Sequence, residues 1–328
     1  VAHILAYQAS SVSGLDPVFV IKVLPPFFYL AYMAGLYLLG RQVATEFGQV
    51  MLMMAFGSVL LFTHYSYLFL PTQLILLLVP LTLFLVFKRN AAPSWACTSA
   101  LLAMLVGMPM FHPLGSLLVG SILLLFGISA FATRSATRSP GVSLLVAVLL
   151  VIFFAWFIDF AVFRYNFSVA YQWFFYGQGK PPIETIGELW SKANLTLLDF
   201  ADLLIRTYGQ VLLSAFSSLL AVTMVARGAI KSRASLKLNN VFFSSVFLVL
   251  SMFYAYSLLA AFLTTKWEIR IFCWPLVASI VLNGTVFHEW LSALGSKRRK
   301  VSAILLTAMT IIAAVIGIFS VYPSPNIK

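Results

Sequence analysis

Six residues of this chain combine a reactive side chain with an apolar setting: Asp16, Lys22, His64, His112, Glu268 and Arg270. Ionisable groups within or against apolar helices are costly, so each is a functional candidate by default. Lys22 lies five residues into an apolar run that starts just after Asp16. An ammonium there can hold a phosphate as a point charge; the alternative is snorkelling to a membrane surface. His64 falls in the aromatic stretch FTHYSYLFLPTQ, and His112 falls in MPMFHPLG between two apolar segments. Both can face one cavity if their segments are neighbours, or each can simply bond nearby backbone. Glu268 and Arg270 belong to the compact loop TTKWEIR. An Arg at that depth can grip phosphate or carboxylate with two parallel bonds, or pair internally with Glu268 or Asp159. His3 and His288 are weaker candidates, one terminal and the other at the far end of its segment.

Other chemistries are excluded by pattern. There is no G-x-x-x-x-G-K-[ST], no H-E-x-x-H, no nucleophile elbow and no DD or DE pair. The two cysteines, Cys97 and Cys273, sit inside apolar segments, so neither a disulfide framework nor a metal-ligand Cys spacing is expected. Asn166-Phe-Ser and Asn194-Leu-Thr are glycosylation sequons, which also arise by chance.

The elements that must position these residues are apolar helices. Apolar residues make up 62% of the chain and charged residues 9%, against roughly 45–50% and about 25% in soluble domains. An all-α polytopic transmembrane bundle of about ten helices is therefore expected, forming a single transmembrane domain over 1–328. Spans need about 20 apolar residues. The expected helices are 17–40, 49–64, 71–87, 95–111, 113–132, 141–163, 208–226, 241–264, 271–290 and 301–321. The second to fourth are short and invite extension, or bending at Pro80 and Pro109. In the long loop 164–207, Leu197, Leu198, Phe200, Ala201 and Leu204 recur at helical spacing opposite Asp199 and Asp202. That predicts one or two amphipathic helices along the outer surface.

Positive charge orients the bundle. Arg41, the Lys88-Arg89 pair, Arg134 with Arg138, the cluster from Arg227 to Lys237 and the run from Lys297 to Lys300 follow alternate segments. By the positive-inside rule those loops are cytoplasmic. The first residues of the chain are then extracytoplasmic, in a plasma-membrane protein. Nearly all acids and three of four histidines fall at the outer face. The net charge of +12 reads as loop charge that meets anionic lipid, not as a nucleic-acid surface. The chain opens on Val1 with no visible signal peptide, which predicts the later part of a longer or processed protein.

At SGLDPVFVIKVLPPFFYLAYMAGLYLLGRQV the chain resembles large archaeal membrane proteins of the GT-C glycosyltransferase superfamily. Their G-x-D-P-x-x-V-x-K-x-x-x-P pattern is carried here by Gly14, Asp16, Pro17, Val20, Lys22 and Pro26. THYSY around His64, MFHPLG around His112, Arg270 and the closing YPSPNIK are also similar to such proteins. The resemblance implies transfer of a sugar from a polyprenyl-phosphate carrier at the outer face. It implies phosphate contacts from Lys22, His64, His112 and Arg270, with Asp16 as the base. It also makes a divalent metal ion a candidate cofactor. The acidic pair of the family's first outer loop has no counterpart here. Membrane lipids and the lipid-linked donor are the implied partners. Two other readings stay open: a transporter or flippase for a lipid-linked or anionic solute, and a non-catalytic membrane subunit.

Overall fold

The computed structural model describes residues 2–61, 71–111, 113–133, 141–158, 168, 196–232, 238–264, 273–294, 296, 300, 301, 304, 307, 308, 311 and 312. Among these residues the secondary structure is entirely helical. The described residues form ten helices: α1 (Ala2–Ser13), α2 (Pro17–Val43), α3 (Phe47–Leu61), α4 (Pro71–Ala91), α5 (Trp95–Phe111), α6 (Pro113–Ala132), α7 (Gly141–Ile158), α8 (Leu197–Ser232), α9 (Leu238–Thr264) and α10 (Cys273–Ala293). By length and composition, Leu74–Ala91 and Gly115–Ala132 are long and apolar enough to cross a membrane, and five shorter apolar stretches accompany them.

Local chemistry sets the helix ends. Asp16 caps α2: its Oδ1 accepts from the amides of Val18 at 2.6 Å and Phe19 at 3.3 Å, ahead of Pro17 in the first turn. Ser94 caps α5 by accepting from the Cys97 amide. At the start of α3, Gln49 reaches back, and its Oε1 accepts from the amides of Thr45 and Glu46 and from the Thr45 hydroxyl. This is the returning half of a capping box.

Two expectations from the sequence are corrected. Residues 1–16 are expected as an outer loop, yet 2–13 form α1. The segment AHILAYQASSVS holds no Pro or Gly to stop a helix. The stop comes at Gly14, whose φ of 71° is a left-handed conformation favoured by glycine, with its amide bonded to the Ser10 carbonyl. The amphipathic stretch near 197–205 is expected apart from a helix at 208–226. Instead α8 runs unbroken for 36 residues, about 54 Å at roughly 1.5 Å per residue. Between Leu204 and Leu212 only Gly209 weakens the helix, and no proline interrupts it. The helix starts on a capping box: the Asp199 carboxylate accepts from the Thr196 hydroxyl at 2.6 Å and the Thr196 amide at 3.0 Å, and the Asp199 amide donates back to the Thr196 hydroxyl. The rest of the expected outer loop, residue 168 apart, and most of the expected last helix lie outside the described residues.

The Thr196 hydroxyl, aided by its amide, holds the Asp199 carboxyl below its ordinary range. A depressed carboxyl contributes stability that is complete above the ordinary carboxylate range and fades as pH falls through the folded-state value. The first turn of α8 should therefore fray on acidification. Hydrogen exchange at the Asp199 amide, which donates to the Thr196 hydroxyl, should lose protection at acid pH once corrected for the intrinsic rate. Thr196→Ala should show that loss already at neutral pH.

Contacts between helices give their directions. The Tyr32 hydroxyl donates to the Gly57 carbonyl and Gly40 lies against Val50, so α2 and α3 are antiparallel. Gly284 lies against Met53 and Gly48 against His288, so α3 and α10 are antiparallel. The Cys97 thiol donates to the Leu85 carbonyl, pairing the end of α4 with the start of α5. Gly115 meets Ile75 near the starts of α6 and α4, which run parallel. Near the other ends of α4 and α6, Phe87 and Phe126 meet Phe242 at the start of α9. Asn239 of α9 donates to the last carbonyl of α2, at Val43. The centre is occupied by α4 and α10, each packed on several neighbours. Every residue from Trp274 to Phe287 is buried.

The outcome is a bundle whose helices alternate in direction. The end that gathers the close of α2 and α4 with the start of α9 carries Arg41, Lys88 and Arg89, and is called the basic end below. Outward faces are apolar: Leu124, Ile128 and Phe131 on α6 and Val249 and Met252 on α9 are exposed.

Candidate functional site

At the basic end four helix termini leave a cavity of about 310 Å³. It is bounded by Val43 at the close of α2, Thr45 in the α2–α3 link, Gln49 of α3, Leu238, Asn239 and Asn240 of α9, and Thr285 and Glu289 of α10. Thr285 and Glu289 are four apart and so share one face of α10. The Thr285 hydroxyl donates to the Val281 carbonyl, which leaves its oxygen able to accept.

Gln49 is the pivot. It is 2% exposed, and its Oε1 is spent on the three bonds that start α3. None of those bonds uses its Nε2. Asn239 directs its Nδ2 to the Val43 carbonyl at 3.2 Å, so its Oδ1 remains an acceptor. Among the described residues no Lys or Arg lines the cavity.

His288 and Glu46 stand beside the same α3–α10 contact. His288 Nε2 lies 3.8 Å from Glu46 Oε2, while its Nδ1 is buried with no hydrogen-bond partner among the described residues. Glu46, His288 and Glu289 are the two acids and the one histidine that break the outer-face pattern of the sequence. The fold brings Glu46 and His288 together, and Glu289 follows His288 in α10.

A second polar group lies on the other side of α10. Asn283 Nδ2 donates to Ser217 Oγ at 2.9 Å and more distantly to Ser218 Oγ. Its Oδ1 is buried and has no partner among the described residues. Two residues of an α-helix are about 200° apart, so Asn283 faces α8 while Thr285 faces the cavity.

The residues singled out from sequence are placed as follows. Asp16 is exposed, with one carboxylate oxygen committed to the α2 cap. Lys22 lies in the first two turns of α2, and its side chain is outside the described residues. His64, His112, Glu268 and Arg270 are likewise outside them. Among the described residues no three His, Cys, Asp or Glu side chains come close enough to hold a metal ion.

Sequence reasoning missed Gln49, Asn239, Asn240, Thr285 and Glu289. Each is a lone polar residue at the end of an apolar segment, with no motif to join it to the others. The one available signal was the displaced trio of Glu46, His288 and Glu289. Scans against family models and searches of curated proteins and of solved structures found no match.

Proposed function

We propose that this chain is a multi-pass membrane protein, resembling GT-C glycosyltransferases, that acts at its extracytoplasmic face on a polyprenyl-phosphate-linked sugar. The observation that carries the reading is the alternation of helix directions. Lys22 follows the start of α2, His64 follows the close of α3, His112 joins α5 to α6, and Glu268 and Arg270 lie between α9 and α10. The helix termini adjoining all of them belong to the end opposite Arg41, Lys88 and Arg89. The exposed apolar faces of α6 and α9 and the two membrane-length helices support a lipid setting. Cations at the outer end would stabilise the negative charge that develops on a departing carrier phosphate.

The test is sugar transfer in isolated membranes from a radiolabelled polyprenyl-phosphate sugar, comparing the parent with Lys22→Ala and Arg270→Ala. Losing one charge-stabilising donor costs about 10²–10³-fold in rate, so transfer should fall by that order in each variant. A parent that transfers nothing from several intact carriers overturns the reading.

A transporter or flippase is the second reading. Ser217, Ser218, Ser279 and Asn283, all buried, favour it, since polar side chains deep in a membrane bundle often mark a solute path. The separation of Asn283 from the basic-end cavity, on opposite sides of α10, argues against one continuous path.

A further inference from the structure

We propose that the corner between α4 and α5 binds the headgroup of an anionic phospholipid, with Lys88 and Arg89 on its phosphate and Trp95 at the level of its glycerol. The proposal rests on the membrane reading above, and adds to it a lipid class and a place. Three observations carry it. The first is charge. From 47 to 158 the chain has no Asp or Glu, and its four cations are Lys88, Arg89, Arg134 and Arg138. Lys88 and Arg89 stand in the last turn of α4. Arg134 and Arg138 follow α6, which closes at the same end as α4. The two acids of that end belong to other helices: Glu46 faces His288, and Glu289 of α10 lines the cavity. No acid of α4, α5 or α6 can therefore neutralise these cations.

The second observation is the posture of Lys88. A lysine near the end of a membrane helix ordinarily snorkels outward to water. Here the ammonium turns back over the ring of Phe84, 5.4 Å from its centroid, one turn nearer the apolar middle. The charge is thereby held at the boundary of the apolar layer, where lipid phosphates lie. A lysine takes phosphate as a point charge, and the neighbouring arginine can grip it with two parallel bonds. The third observation is Trp95, which opens α5 and is 88% exposed. The bond from the Cys97 thiol to the Leu85 carbonyl sets the start of α5 beside the close of α4. An exposed indole suits the headgroup layer, its apolar body toward the acyl chains and its N–H toward ester or phosphate oxygens. The helix dipole alone would favour cations at the close of α4, but it gives no reason for an indole beside them.

The experiment places the full chain in phosphatidylcholine bilayers that contain a fixed share of lipid brominated high on its acyl chains. The brominated lipid is phosphatidylglycerol in one set and phosphatidylcholine in the other, and quenching of tryptophan fluorescence is measured. Trp95→Phe isolates the Trp95 signal by difference. Brominated phosphatidylglycerol should quench Trp95 more strongly than brominated phosphatidylcholine. Each cation near an anionic membrane surface is worth about a fivefold preference, so Lys88→Gln combined with Arg89→Gln should abolish the difference. Lys297→Gln combined with Lys300→Gln removes the same charge elsewhere and should leave it intact. Equal quenching of Trp95 by the two lipids overturns the proposal and leaves the membrane reading standing. Quenching by neither overturns both at this end of the bundle. A preference that survives loss of Lys88 and Arg89 overturns the proposal too, since surface charge in general would then account for it.

Discussion

Gly284→Leu should prevent the bundle from closing. A Cβ at position 284 would come 3.0 Å from both the Gln49 carbonyl oxygen and the Met53 amide nitrogen, and closer still to the Met53 side chain. Those first two atoms are backbone, so no rotamer change relieves the contact. Even Gly284→Ala forces α3 and α10 apart, and overpacking of this kind costs about 1–3 kcal/mol. Membrane helices reach such separations through small residues at the crossing. The expected result is a clear fall in the thermal unfolding midpoint for the alanine variant, and aggregation or failure to purify for the leucine variant. A leucine variant as stable as the parent would show that α3 and α10 do not meet at this point.

Phe126→Ala should cost about 3–5 kcal/mol, the usual range for removing a buried aromatic ring. Phe126 is 1% exposed. Its ring meets Phe87 of α4 at 5.0 Å and Phe242 of α9 at 5.2 Å between centroids, both edge-to-face. Phe87 in turn stacks on Phe243 at 5.9 Å. One ring thus joins three helices, and edge-to-face pairs add roughly 0.5–1.5 kcal/mol each beyond burial. Unfolding of Phe126→Ala in detergent should be much earlier than that of the parent, with Phe126→Leu between them. Equal midpoints for alanine and parent would mean that the ring cluster does not hold the basic end together.

The helix ends that could be read from sequence are those with a covalent marker. Pro113 and Gly141 open α6 and α7 where expected, and Trp95, two residues after Pro93, opens α5. Where no breaker stands, periodicity alone misplaces the boundary. The amphipathic start of α8 flows into its apolar remainder because nothing between Leu204 and Leu212 stops a helix, and α1 forms where a loop is expected. Alternation of Lys and Arg clusters foretells the end at which α2 and α4 close, since charge is a property of single residues. The cavity was not legible for the opposite reason. Gln49, Asn239, Asn240 and Thr285 come from three helices, and only the tertiary fold makes them neighbours. At the other end, the resemblance makes Asp16 a base, and the structure adds a role that the sequence reading did not give it, as the cap of α2.

The central place of α10 has a consequence in time. Its partner α3 is complete by Leu61, yet Gly284 follows Met53 by 231 positions, the difference of their two numbers. At roughly 5–20 residues per second, a ribosome needs on the order of ten to fifty seconds to travel that distance. Throughout that interval the face of α3 that bears Gly48 and Met53 has no α10 to lie against. The newborn chain must shelter it, by transient pairing with α2 or inside whatever machinery inserts the helices. Premature termination before α10 would leave that face open for good, which makes the closing third of the chain the part on which quality control of the whole depends.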